Sequence, residues 1–248
     1  MRSPTKLLLI FGPMLSLLMS GSVSLNGAEK SAEAKPNELS PAEKKAGWKL
    51  LFDGKTTTGW RSFKKQTFPE KGWAVEDGWL KCIAEGRGGD ILTDQTFDDF
   101  ELQWEWRIPL KANNGVKYFI TEERAQALGH EYQMIDDARH PDGLRGPKWQ
   151  TASFYDVLPA KSDKPLRPPG EINLSRIVIR GNQVEHWLNG AKVLQYECGS
   201  DEVKAAVAAS KFKNVAGFGN KIKGHILLTE HHDEASFRNI KIRELAAK

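Results

Sequence analysis

Phe100-Glu101-Leu102-Gln103-Trp104-Glu105-Trp106-Arg107-Ile108 alternates large apolar with polar residues without a break. Successive side chains of a β-strand point to opposite faces, so this stretch predicts an antiparallel strand with one face on a core and the other on solvent or ligand. The same period of two recurs on both sides of it. Val116, Tyr118 and Ile120 alternate with Lys117, Phe119 and Thr121. Asn113-Asn114-Gly115 ahead of them supplies a positive-φ turn, so these two strands are expected to pair as a hairpin. Farther on, RIVIR (176–180), VEHWL (184–188) and AKVLQYE (191–197) are separated by Gly181-Asn182 and Asn189-Gly190, which predicts a three-stranded meander. FRNIKIREL (237–245) reads as the last strand, with GHILL (224–228) as its expected partner. Short strands, frequent turns and no βαβ alternation argue for two antiparallel sheets packed as a sandwich. One short helix interrupts the pattern. Ser200 can cap it, Asp201 and Glu202 suit its positive end, and Val203, Ala206 and Val207 fall at helical spacing.

Composition agrees with a globular β protein. The chain has 248 residues, 40% hydrophobic and 27% charged, with a formal net charge of +4 and a mean hydropathy of -0.51. No Lys/Arg block of the kind that tracks phosphates occurs, which sets nucleic acid aside as a partner. Met1 to Lys6 is a basic head, Leu7 to Leu18 an apolar run, and small residues follow to Ala28. Residues 1–28 therefore read as a secretory signal peptide, which implies a periplasmic or extracellular location and no stable membrane insertion after cleavage. Residues 29–45 contain Pro36, Pro41 and one large apolar residue, Leu39, and read as a disordered linker. The folded domain is then 46–248. Cys82 and Cys198 are the only cysteines. They exclude a disulfide-dense scaffold and leave pairing open.

Seven segments in order resemble one family: WKLLFDGKTTTGW (48–60), NNGVKYF (113–119), GHEYQMIDDARHPDG (129–143), TASFYD (151–156), VEHWLNG (184–190), GHILL (224–228) and FRNIKIREL (237–245). Over about residues 47–245 the chain resembles the 3-keto-disaccharide hydrolase domain family. The resemblance implies a concanavalin-A-like jelly-roll sandwich and an exported enzyme acting on glycosides already oxidised to a ketone at C3 of a glucose ring. Activities attached to such domains are 3-keto-glucoside 1,2-lyase and 3-keto-2-hydroxy-glucal hydratase, whose sum is hydrolysis. The sequence departs from the family pattern at Leu228-Thr229-Glu230-His231-His232, where Leu-Gln-Asp-His-Gly is usual, and at Ile172-Asn173, where Trp-Asn is usual. The usual Asn-Ser-Gly is Asn113-Asn114-Gly115 here. The altered run keeps a second reading open, a non-catalytic carbohydrate-binding module on the same fold.

The chemistry implied needs a base near C2, a cation or hydrogen-bond donors at the C3 oxygen, and an acid for the departing oxygen. Glu131 and Gln133 project from one face of their strand, roughly 7 Å apart, while His130, Tyr132 and Met134 take the other. Asp136 returns to the Glu131 face only if a bulge intervenes. With such a bulge, Glu-x-Gln-x-x-Asp resembles the Glu-x-Asp-x-x-Glu of laminarinase-type glucanases. A retaining glycosidase needs two carboxylates about 5–5.5 Å apart, and Gln133 stands where those enzymes carry an acid, so direct double displacement is disfavoured. The catalytic candidates are thus Glu131, His231, Asp136 and Lys117, the last as the cation at the C3 oxygen or else a solvated lysine. Gln133, Asn114, His140, Tyr155, Asn173 and Trp187 are candidate substrate contacts, Trp187 as a stacking platform. A satisfied buried hydroxyl is the plain alternative for Tyr155. No cofactor is called for; a divalent metal on Glu131, His231, Asp136 and His140 is an alternative without a fixed ligand spacing behind it.

Overall fold

The computed structural model describes Met1 and residues 35–246. The expected signal peptide, beyond Met1, and the expected linker up to residue 34 lie outside the described residues. The elements are α1 (Pro41–Lys45), β1 (Lys49–Leu50), β2 (Trp60–Ser62), β3 (Trp73–Glu76), β4 (Trp79–Cys82), β5 (Ile91–Phe97), β6 (Phe100–Arg107), β7 (Asn113–Ile120), β8 (His130–Ile135), β9 (Asn173–Arg180), β10 (Gln183–Leu188), β11 (Ala191–Glu197), α2 (Asp201–Ala208), β12 (Gly224–Leu228) and β13 (Ala235–Glu244). One sheet runs β11-β10-β9-β6-β13-β4-β3, with β1 joined to β13, and the other runs β2-β5-β12-β7-β8. Every pairing is antiparallel. The jelly-roll sandwich is the architecture found.

Period two explains the layers. Phe100, Leu102, Trp104 and Trp106 of β6 are buried between the sheets, as are Ile177 and Ile179 of β9 and Val116 and Tyr118 of β7. Removing such side chains from water stabilises the fold by about 1.5–3 kcal/mol each, before conformational entropy is subtracted. A polar relay also crosses the core. His186 donates from Nδ1 to the Ala152 carbonyl (2.9 Å), so its Nε2 accepts from the Tyr118 hydroxyl (2.7 Å). Tyr118 in turn accepts from Tyr196 (2.6 Å), and Tyr196 from His130 Nδ1 (2.8 Å). Burial pushes the His186 imidazole down to about 4 and His130 well below its usual value. Cys82 and Cys198 are both buried free thiols.

Three expectations about connections are corrected. β6 and β7 do not pair: β6 lies between β9 and β13 in one sheet, and β7 between β12 and β8 in the other. Asn113-Asn114-Gly115 is inside β7 rather than a turn. The chain crosses between layers at 108–112, where Lys111 takes the positive φ of 63°. β12 pairs with β5 and β7, not with β13. The linker reading also fails from residue 35 onward. Ser40 accepts from Glu43 N (3.2 Å) and Glu43 answers to Ser40 N (2.8 Å), a reciprocal cap for α1. Asn37 donates to Gly78 O and exchanges bonds with Asn239 of β13, and Glu43 pairs with Lys241. Short polar side chains that hydrogen-bond the sheet hold this segment where apolar burial does not.

Candidate functional site

The five-stranded sheet turns one face away from the core, and β7 and β8 supply its floor. Their register sets Lys117 opposite Glu131 and Gly115 opposite Gln133. Glu131 and Gln133 share this face, as alternation requires, and open onto a cavity of about 230 Å³. β12 runs alongside β7, and Thr229 N donates to Gly115 O (3.1 Å), which delivers the following His231 over the floor. His231 Nε2 lies 3.8 Å from Glu131 Oε1. Residues 151–158 fold onto the open edge of β8: Ala152 N donates to Gln133 O (2.8 Å) and Tyr155 N to Glu131 O (3.1 Å). That apposition carries the Tyr155 ring into the wall.

Charge decides what the floor can do. Glu131 is only 5% exposed. Burial pushes its carboxyl up, but Lys117, His231 and Lys211 outweigh burial and hold it below the ordinary carboxylate value. The group is an ionised carboxylate inside the protein, sustained by the cations around it. Lys117 is braced from behind by Asp90 (3.7 Å), whose other oxygen accepts from Glu230 N (2.8 Å). One acid thereby ties Lys117 to the segment that bears His231. Gly115 leaves Glu131 the position it holds: a Cβ there would meet Glu131 Oε1 at 2.4 Å.

Of the residues expected from sequence, the structure brings Glu131, Gln133, Lys117, His231 and Tyr155 together on this cavity. The others lie elsewhere. No bulge interrupts β8, so Asp136 falls on the opposite side, where its carboxylate accepts from Lys111 N (3.0 Å) and Ala138 N (3.2 Å). It serves the crossing turn. Asn114 is fully buried beneath the floor and accepts from Gly115 N (2.9 Å). Thr229 points down to the same atom (3.3 Å), so the residue that replaces the family's Gln does not face the cavity. His140 accepts from Asp142 N (3.0 Å) and sits 4.0 Å from Asp233, outside the cavity lining. Asn173 is bonded to Arg167 N (3.0 Å) and Asn189 Nδ2 (2.8 Å). Trp187 stands on the outer face of the larger sheet, covered by Arg176 at 4.0 Å, with its indole donating to Glu185 (2.8 Å). The four residues considered for a metal do not converge, and among the described residues no cluster of metal-ligating side chains occurs.

Two residues escaped the sequence reading. Asp142 lines the cavity and accepts from the Tyr155 hydroxyl (2.5 Å) and from Arg145 (2.7 Å). Lys211, from the loop after α2, also lines the cavity, its Nζ 4.3 Å from the centre of the Tyr155 ring. A second hollow, of about 260 Å³, is lined by Trp106, Ile108, Leu166 and Pro168 together with Asp136 and Asn173. It is more apolar, and the two buried or half-buried acids in it are committed, Asp136 to backbone N–H groups and Asp137 to Lys164 (2.9 Å), which leaves only the exposed Glu171. The Glu131 cavity is therefore the chemical site.

Comparison with known proteins agrees with that choice of fold and class. Residues 47–243 match the 3-keto-alpha-glucoside-1,2-lyase-like domain. The chain belongs to this family. A 3-keto-disaccharide hydrolase of Bacteroides thetaiotaomicron is 30% identical over 289 residues, covering 95% of this chain and 99% of that protein. Two crystal structures from Parabacteroides distasonis, each provisionally described as a glycosyl hydrolase, share the architecture. The first has a TM-score of 0.77 at 32% identity and covers 86% of this chain and all of the other. The second has a TM-score of 0.63 at 28% identity and covers 80% and 99%. In this member of the family every departure noted from sequence, at Asn114, Ile172, Thr229, Glu230 and His232, lies off the cavity lining.

Proposed function

We propose that this protein is an exported carbohydrate-active enzyme that cleaves 3-keto-glycosides by proton abstraction at C2, β-elimination and hydration. Membership of the family supports a hydrolase acting on sugars; the geometry of the Glu131 cavity supports the finer reading. The observation that carries it is the buried, ionised Glu131 set across a strand pair from Lys117 at the floor of the cavity. A volume of about 230 Å³ is below the roughly 300 Å³ at which pockets for drug-sized ligands begin, which suits one pyranose ring.

A ketone at C3 acidifies the C2 hydrogen, so a carboxylate is a sufficient base provided that charge on the C3 oxygen is stabilised. Glu131 removes the C2 proton. Lys117, its register partner, faces the oxygen on which the electron pair comes to rest. Collapse of the enolate breaks the C1–O bond, and the aglycone leaves with a proton from the site. Water then adds at C1 while Glu131 returns its proton to C2. The sum is one glycoside and one water giving 3-keto-glucose and an alcohol. No oxocarbenium ion and no second carboxylate beside Glu131 are required, consistent with the commitment of Asp136 to the crossing turn.

The test is incubation with 3-keto-trehalose or methyl 3-keto-glucoside in deuterated water, followed by mass spectrometry. Expected are 3-keto-glucose, the glucal intermediate, and deuterium at C2. Glu131→Gln is expected to lose about 10²–10⁴-fold in turnover while melting as the wild type does. Absence of both products over a panel of keto-glycosides overturns the proposal, and saturable binding without product supports the carbohydrate-binding alternative instead.

A further inference from the structure

The site described above contains a base and a cation for the C3 oxygen, but the elimination also needs a proton for the departing aglycone oxygen. Glu131 and Gln133 form the floor, at 5% and 1% exposure, so a ring seated on them directs its C1 substituent toward the mouth. Four groups at or near the cavity carry a proton. Tyr155 is committed: its hydroxyl donates to Asp142 at 2.5 Å, and burial together with that acceptor holds the proton firmly. Lys117 pairs with Asp90 (3.7 Å) and lends its charge to Glu131. His231 faces Glu131 at 3.8 Å. Lys211 remains.

Lys211 is built into position rather than free. Its backbone N–H donates to Asp156 Oδ2 (2.8 Å), and Asp156 is itself fixed by Lys148 (2.8 Å). The adjoining turn is closed by Ser210, which accepts from Phe212 N (3.0 Å) and donates to Val207 O (2.8 Å). Although the residue as a whole is exposed, its Nζ lies 4.3 Å from the centre of the Tyr155 ring and 5.1 Å from that of Phe212. Among the described residues no carboxylate lies within 4.0 Å of that ammonium. Two aromatic faces hold the cation by its charge without taking its protons, which is the arrangement an acid needs if it is to give one away. Partial burial, with Lys117 adding to it against the pull of Glu131, lowers its hold on the proton.

We propose that Lys211 is the general acid of this site, donating an Nζ proton to the aglycone oxygen as the C1–O bond breaks. The assignment rests on the elimination reaction proposed above. In the step, the C1–O electron pair goes to the aglycone oxygen, which takes the Lys211 proton and departs as an alcohol. The neutral amine regains a proton from the water that adds at C1, whose oxygen remains there as the new hydroxyl.

A general acid matters in proportion to how poor the leaving group is, and this separates it from a structural or purely electrostatic role. Lys211→Met and Lys211→Arg are compared with wild type on 4-nitrophenyl and on methyl 3-keto-glucoside, with melting curves for all three. Both variants are expected to turn over the nitrophenyl glycoside within a few-fold of wild type, because nitrophenolate leaves without a proton. Both are expected to lose about 10²–10⁴-fold on the methyl glycoside. Equal losses on the two substrates, no loss on the methyl glycoside, or recovery by Arg, which keeps the charge and cannot deliver a proton, would each overturn the assignment and leave the reaction standing. A wild type inert toward both glycosides overturns the reaction and the assignment together.

Discussion

Gly115→Ala isolates the placement of one carboxylate from everything else in the fold. Gly115 is not among the positive-φ glycines, so alanine adopts its backbone without strain, and restricting the unfolded chain favours the native state by about 0.4–1 kcal/mol. The obstacle is local. The new methyl carbon would lie 2.4 Å from Glu131 Oε1 and 3.1 Å from Cγ and Cδ. Ordinary contact begins at 3.4 Å, so the carboxylate must retreat by about 1 Å, and a displacement of that size costs about 10²-fold in rate when it moves a reacting group. The far end of a side chain can swing aside at little cost to folding, so the melting temperature is expected to stay level or rise slightly while kcat on methyl 3-keto-glucoside falls about 100-fold. Stopped assays of 3-keto-glucose release, beside thermal melts of the same samples, read both quantities. Turnover above about half of wild type would refute the claim that Glu131 acts from the position it now holds. A parallel collapse of melting and activity would show that Gly115 serves packing instead.

Two further outcomes follow from groups away from the floor. The imidazole of His186, pushed down to about 4 by burial, is neutral in the fold but takes up a proton near 6.5 once unfolded. Its contribution is complete above pH 6.5 and drains away as pH falls toward 4, by about 2 kcal/mol between pH 7 and 5; denaturant titrations at the two pH values should register that loss, and a slope no smaller in His186→Gln would rule His186 out as its source. Export, proposed from the basic head and apolar run of residues 1–28, predicts that protein recovered from outside the cytoplasm begins near residue 29, and N-terminal sequencing that finds Met1 there would contradict cleavage.

Alternation along single strands was legible because it depends on nothing beyond the strand. Phe100 to Ile108 declared both of its faces, and Glu131 with Gln133 declared theirs. Pairing was not legible in the same way. Asn113-Asn114-Gly115 has the composition of a tight turn, yet it forms the first three residues of β7, where Gly115 leaves room for Glu131, while the positive φ of the crossing falls on Lys111. Two neighbouring strands of a jelly roll belong to different layers, and no local signal separates that crossing from a hairpin. The 35–45 segment misled for a related reason. Its hold on the sheet comes from Asn37, Ser40 and Glu43, and residue-by-residue hydrophobicity does not register polar side chains that find backbone partners.

The site divides along the same line. Lys117, Glu131 and Gln133 were readable as facing one way, but that Lys117 stands opposite Glu131 required the register of β7 against β8. Asp136 obeyed alternation and so left the site, which argues that the spacing shared with glucanases is a coincidence of sequence rather than of geometry. Lys211 follows no period. It arrives through a helix whose Val203 and Val207 are buried against the core, a loop pinned by Asp156, and an aromatic shelf, Tyr155, that comes from a third segment. Each of those contacts spans tens of residues along the chain, and each is a consequence of packing. The groups that belong to strands could thus be read in advance from alternation, whereas of the four that loops position, His231 and Tyr155 were marked only by the family resemblance and Asp142 and Lys211 by nothing, because a loop residue acquires its address only when the surfaces on either side of it are in place.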